Sequence, residues 1–183
     1  MTTNADLLSS LDLEHLAPLG IWHHLVPETR ALAVKALYAR SGSDDRTFEA
    51  LANAAIAKAL RFRDASVVKM PLEKKAHYLS RGVPINDHLA FGLLQSLHFA
   101  ERRALLKTFL DALGVPHEDG IIKDDAQLDP PKPEVLAAAV DKLYASHDAP
   151  EADLYLACML AFDPEHWSGL KALLAARATK PSA

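Results

Sequence analysis

Apolar residues recur at three- and four-residue intervals along most of the chain, and the gaps between breakers are long enough for helices rather than strands. Leu7, Leu8 and Leu11 predict a first helix over about residues 5–16, with Asn4 as its N-cap and Pro18 and Gly20 ending it. Residues 21–26 then read as a short apolar connector. Pro27 opens a second helix to about Arg40, and Ser43 caps a third that reaches about Arg61, with Asp44 and Asp45 at the positive end of its dipole. On that third helix Phe48, Leu51, Ala55, Ala59 and Phe62 form the expected buried stripe, whose alanines let a neighbour approach closely. A further helix runs from Pro71 to Arg81 and stops at Gly82 and Pro84. Between Ile85 and Leu113, Leu89, Leu93 and Leu97 point roughly 180° from Leu106 at helical spacing, which predicts two helices joined by a tight turn near residues 99–101. Gly114 caps the second of them. Three more helices begin near Pro133, Pro150 and Pro164, the last with Asp163 as N-cap.

The pattern therefore predicts an all-α fold of about eight helices, either antiparallel helix pairs stacked as in HEAT-like α-solenoids or an irregular orthogonal helical bundle. Its organisation is a helical part over residues 1–114, an acidic proline-bearing linker over 115–132, and a three-helix part over 133–183 packed with the rest as one domain. One internal similarity stands out. Residues 33–39 (AVKALYA) overlie 139–145 (AVDKLYA) at five of seven positions, and the pairing continues with Phe48 over Leu154 and Ala55 over Ala161. Two imperfect copies of a helical hairpin fit this better than a short regular repeat.

Composition agrees with the pattern. Of 183 residues, 32 are alanine and 30 leucine, against only 7 glycines, a mix that favours helix over sheet. The single cysteine, Cys158, excludes an intramolecular disulfide and any multi-cysteine zinc or iron–sulfur site; its apolar neighbours predict a buried, inert thiol. No apolar run approaches the 18 residues or so of a membrane span, and residues 1–6 lack the basic start of a secretory signal. The expectation is a soluble cytoplasmic protein that does not enter the membrane.

The net charge of −4 conceals an asymmetry. Residues 58–81 hold seven basic and two acidic side chains, a balance of +5, whereas residues 111–165 hold thirteen acidic and three basic ones, a balance of −10. Such a distribution bears on partners more than on fold.

Three clusters could carry chemistry. His117, Glu118 and Asp119, followed by Asp124, Asp125 and Asp129, place an imidazole and carboxylates on the breaker-rich stretch, where they could ligate a divalent metal or act as acid and base. Their spacing matches neither an EF-hand nor a zinc helix motif, so no cofactor is expected beyond that possible metal. Trp22, His23 and His24 sit together on the apolar connector, where binding residues often lie. Arg61, Arg63, Lys74, Lys75 and Arg81, with Phe62 and Tyr78 interleaved, could meet a phosphate backbone, although Pro84 and the acidic balance of the whole chain count against nucleic acid. Phosphate loops, nucleophile elbows and dinucleotide turns are absent from the sequence.

With every catalytic template failing, the leading expectation is a protein-binding or scaffold module that presents a helical surface to a protein partner or to itself. A metal-dependent or acid/base enzyme built on His117, Glu118 and Asp119 comes second, and nucleic-acid binding through residues 58–81 third. A binding module predicts an exposed apolar or charged patch. An enzyme predicts histidines such as His23, His77 or His98 gathered with carboxylates. The nucleic-acid reading requires the five cations on one face.

Overall fold

The computed structural model describes residues 7–40, 43–122 and 129–179. Among them are α1 (Leu7–Ser10), α2 (Pro18–His24), α3 (Pro27–Ala39), α4 (Ser43–Leu60), α5 (Asp64–Val68), α6 (Leu72–Arg81), α7 (Asp87–Glu101), α8 (Arg103–Leu113), α9 (Pro133–Ser146), α10 (Ala149–Phe162) and α11 (Ser168–Ala178). A single hairpin, β1 (His117–Glu118) with β2 (Ile121–Ile122), interrupts this otherwise all-α architecture. None of these helices is long and apolar enough to cross a membrane. Two compact units result: a central unit, Leu25–Glu101, and a terminal unit, Met1–His24 with Arg102–Ala183. Residues 115–122 belong to the terminal unit, and residues 123–128, with Asp124 and Asp125, lie outside the described residues.

In the central unit α3 lies against both α6 and α7. Ala33 and Ala36 are buried on it beside Val34 and Leu37, and the two small side chains let both neighbours close in. On α7, Leu89, Leu93 and Leu97 form the buried ladder, and the Asn86 side chain caps the helix by accepting from the Leu89 N–H at 2.9 Å. Helix α4 meets α7 through Phe48, whose ring occupies the place of a side chain at Gly92. A Cβ there would stand 2.4 Å from that ring, so glycine is required by close approach.

The buried stripe of α4 differs from expectation. Phe48, Ala52, Ile56 and Ala57 face inward, Ala59 is exposed, and Phe62 is outside the helix. For Phe62 the reason is local: Arg61 adopts a left-handed conformation (φ 53°) and the Phe62 N–H closes onto the Ala57 carbonyl at 3.0 Å. Helix α4 therefore ends at Leu60, and Phe62 leaves the stripe.

In the terminal unit α10 is buried on most of its surface and contacts α1, α2, α9 and α11, as a helix without a polar face must. Cys158 lies within it, and burial pushes its thiol well above the ordinary range, the inert state expected. Phe109 of α8 packs edge-on against Tyr155 and tilted against Trp167, each at 5.6 Å between ring centres. Pro18 departs from expectation: it occupies the first position of α2 rather than ending α1, a place where a missing N–H costs nothing. Residues read as a connector are thus largely helix, with Ile21 and Trp22 turned into the core.

The similarity between residues 33–39 and 139–145 has a structural counterpart. Tyr38 of α3 donates its hydroxyl hydrogen to Asn53 Oδ1 of α4 at 2.8 Å, and Tyr144 of α9 donates to Asp153 Oδ1 of α10 at 2.5 Å. A cation from a third helix covers each ring. Lys75 Nζ of α6 stands 4.5 Å from the centre of the Tyr38 ring, and the Arg177 guanidinium of α11 stands 3.4 Å from that of Tyr144.

Candidate functional site

The cluster at His117 forms a tight hairpin rather than an open loop. Asp119 and Gly120 are its two central residues, both with positive φ (50° and 82°), the geometry that Asp-Gly pairs supply most readily. Gly120 is fixed twice over, because a Cβ there would also come 2.9 Å from Leu106 Cβ. The His117 ring is held at both nitrogens. Nδ1 accepts the Gly120 N–H at 3.1 Å, which leaves the proton on Nε2, 3.1 Å from Asp111 Oδ1. Asp119 turns instead to α8, where Arg103 Nη1 at 2.6 Å and Lys107 Nζ at 3.4 Å hold its carboxyl below the usual carboxylate range. Glu118 is exposed. The three residues are thus engaged by different partners, and among the described residues no group of three histidine, cysteine or carboxylate side chains is arranged to hold a metal ion.

Trp22, His23 and His24 do not converge either. Successive residues on a helix point about 100° apart, and here Trp22 is buried while both histidines are exposed. His24 Nδ1 donates to the Gly20 carbonyl at 2.8 Å, a bond within α2.

The basic residues divide in two. Arg61, Arg63, Lys74 and Arg81 are exposed, whereas Lys75 is only 6% exposed. Besides covering Tyr38, the Lys75 ammonium donates to the Val68 carbonyl at 3.3 Å, where a cation complements the C-terminal end of α5. Burial lowers its pKa and nearby Glu49 opposes that shift. The five cations therefore do not share one face, and Lys75 is a strut behind the turn. Arg81 borders an open groove of about 240 Å³ between α3 and α6, together with Glu28, Lys35, Glu73 and His77. Lys35 and Glu73 already pair there at 2.8 Å.

What the sequence reading missed between α4 and α6 is the exposure of two apolar side chains. Residues 61–66 are all exposed, and two apolar side chains stand among them or beside them, Phe62 at 44% and Val68 at 62% exposure. Val67, fully buried, anchors the single turn of α5, so that the next side chain, Val68, faces away from the core. Around this pair Lys58, Arg61, Arg63 and Lys69 are exposed, with Asp64 as the opposing charge.

A second feature, in the terminal unit, is an apolar pocket of about 210 Å³ lined by Leu113, Val115, Pro131, Val135 and Trp167, with Asp129, Lys132 and His166 also lining it. Comparison with protein-family models, with curated proteins and with solved structures gives no match for the chain.

Proposed function

We propose that the chain is a cytoplasmic protein-binding module whose contact surface is the turn over residues 61–69 of the central unit. The observation that carries this reading is the exposure of Phe62 and Val68 on ground that is otherwise mainly cationic. Burying a side chain of this kind contributes about 1.5–3 kcal/mol, and holding a non-glycine residue such as Arg61 left-handed costs about 1–2 kcal/mol. Contact with a partner recovers the first term, while the second is the cost of the turn that holds Phe62 outward. Aromatic and arginine side chains are also the residues that dominate protein interfaces energetically.

The alternatives have less support. Phosphate recognition draws on many converging cations, but Lys75 is committed to Tyr38 and Val68, and Asp64 stands among the remaining cations. Metal or acid/base chemistry at His117 and Asp119 would first have to break the bonds to Gly120, Asp111, Arg103 and Lys107. The test is a photoreactive phenylalanine analogue at position 62, with the same group at exposed Arg46 as control. Irradiation in cells should give protein adducts at position 62 well above those at 46, unchanged by nuclease. Adducts to nucleic acid alone, or equal yields at both positions, would reject the proposal.

A further inference from the structure

The charge beside the exposed Phe62 and Val68 is one-sided. Residues 58–69 hold four basic side chains, Lys58, Arg61, Arg63 and Lys69, against a single acid, Asp64, and all five are exposed. Among the described residues none of these four cations is paired with a carboxylate, whereas Lys35, Arg103 and Lys171 pair with Glu73, Asp119 and Glu14. The folded chain thus leaves its positive charge unanswered at the same place where it leaves apolar surface in water, which is unfavourable for that surface. Asp64 offsets one of the four charges and leaves a local excess of three.

We infer that the partner of the 61–69 turn offers an acidic segment with an apolar side chain among its carboxylates. The apolar side chain covers Phe62 and Val68, and the carboxylates pair with Lys58, Arg61, Arg63 and Lys69. This inference rests on the protein-binding reading and names the chemistry of the partner. Charge complementarity selects it, since the turn supplies cations and apolar surface together and lacks the opposite charge. Arg61 and Arg63, on either side of Phe62 in sequence, present planar forks that take a carboxylate in two parallel hydrogen bonds. Such bonds strengthen where apolar contact excludes water. A nucleic acid would answer the cations but has few apolar groups to cover Val68, and an anionic bilayer would draw Asp64 toward its negative headgroups together with the two apolar side chains. Opposite charges also speed encounter and make binding sensitive to salt.

Selection of random peptides displayed on phage against the immobilised full chain tests the inference. Peptides enriched on the wild-type chain over Phe62→Ser should carry net negative charge and at least one leucine, valine or aromatic residue. A synthetic copy of the most enriched peptide should bind the full chain in solution, read by fluorescence anisotropy. That binding should weaken at least about tenfold in high salt, in Phe62→Ser, and in Arg63→Glu combined with Lys69→Glu. All three positions are exposed and Arg61 still makes the left-handed turn, so far-ultraviolet circular dichroism should be unchanged in these variants. On the charge-reversed chain the same selection should no longer favour acidic peptides. Enriched peptides of neutral or positive charge, or binding that the charge reversal leaves unchanged, overturn the inference; where such peptides still depend on Phe62, the protein-binding reading stands and only the partner's chemistry falls. No enrichment over Phe62→Ser, or Phe62-dependent binding to phosphatidylserine vesicles or single-stranded DNA in place of peptides, also overturns it, and the adducts at position 62 then decide separately whether the protein-binding reading survives.

Discussion

Tyr38 and Tyr144 hold matching places in the central and terminal units, yet the first donates to a carboxamide and the second to a carboxylate. The covering cation differs as well. Lys75 is nearly buried and also caps α5, whereas Arg177 keeps contact with solvent and reaches Asp141 at 3.4 Å. Glu49 acts through space on both Tyr38 and Lys75 in the central triad, whereas in the terminal triad the acceptor of the hydroxyl is itself ionisable and faces Arg177. Burial raises Asp153 above its ordinary value of 3.8, against the lowering effects of the Tyr144 hydrogen bond and of Arg177. Burial also raises the Tyr144 hydroxyl, so the tyrosine remains the donor. The same local geometry is thus insensitive to pH at Asn53 and sensitive to it at Asp153.

The largest effect expected from breaking this comparison comes from removing the core on one side only. Phe109→Ala deletes the ring that joins Tyr155 and Trp167 and should cost about 3–5 kcal/mol. Its counterpart, Gly92→Ala, forces a methyl into the Phe48 ring and should cost about 1–3 kcal/mol. Hydrogen exchange should show protection falling first in the terminal unit for Phe109→Ala and first in the central unit for Gly92→Ala.

A sharper comparison deletes the two hydroxyls. Tyr144→Phe leaves a half-buried carboxylate without its donor and should cost about 1.5–3 kcal/mol, against about 0.5–1.5 kcal/mol for Tyr38→Phe, read by denaturant unfolding. Next comes the pH dependence. The folded chain binds the Asp153 proton more tightly than the unfolded chain, so this contribution to stability is fully present below 3.8 and is lost as pH rises through the raised value. Asp153→Asn should flatten that part of the stability–pH curve and raise the melting midpoint at pH 7 by about 1–3 °C, while Asn53→Asp should introduce a similar slope in the central unit. An effect of comparable size and stabilising sign belongs to Arg61→Gly. Gly114 makes the same helix-ending turn at φ 70° with the Val115 N–H on the Leu110 carbonyl, and glycine at position 61 should stabilise by about 0.5–1 kcal/mol while weakening association.

Much of the fold was legible where proline or glycine marks a helix end. Pro27, Pro133 and Pro150 open helices as expected, and Gly114 closes one. Pro18 misled because it was read with Gly20 as a terminator, although the same residue suits a first helical turn. The hairpin escaped because strands of two residues leave no periodicity to count, and the Asp119-Gly120 pair was its signal. Phe62 was legible as helical spacing but not as exposure: a left-handed arginine is uncommon, and nothing in the apolar pattern announces that the helix stops at Leu60. Lys75 reads as one cation among seven in residues 58–81, and only the packing of α6 on α3 turns it toward Tyr38. The apolar pocket joins residues 113–115 to residues 131–167, a separation no local pattern can report.

The most direct measurement is oxidative footprinting of the Phe62 side chain in dilute purified protein and in intact cells, with Trp22 as the buried reference and exposed Leu32 as the exposed one. The account predicts ready modification of Phe62 in the dilute protein and marked protection in cells, while Leu32 reacts equally in both. Equal modification of Phe62 in both settings would contradict it.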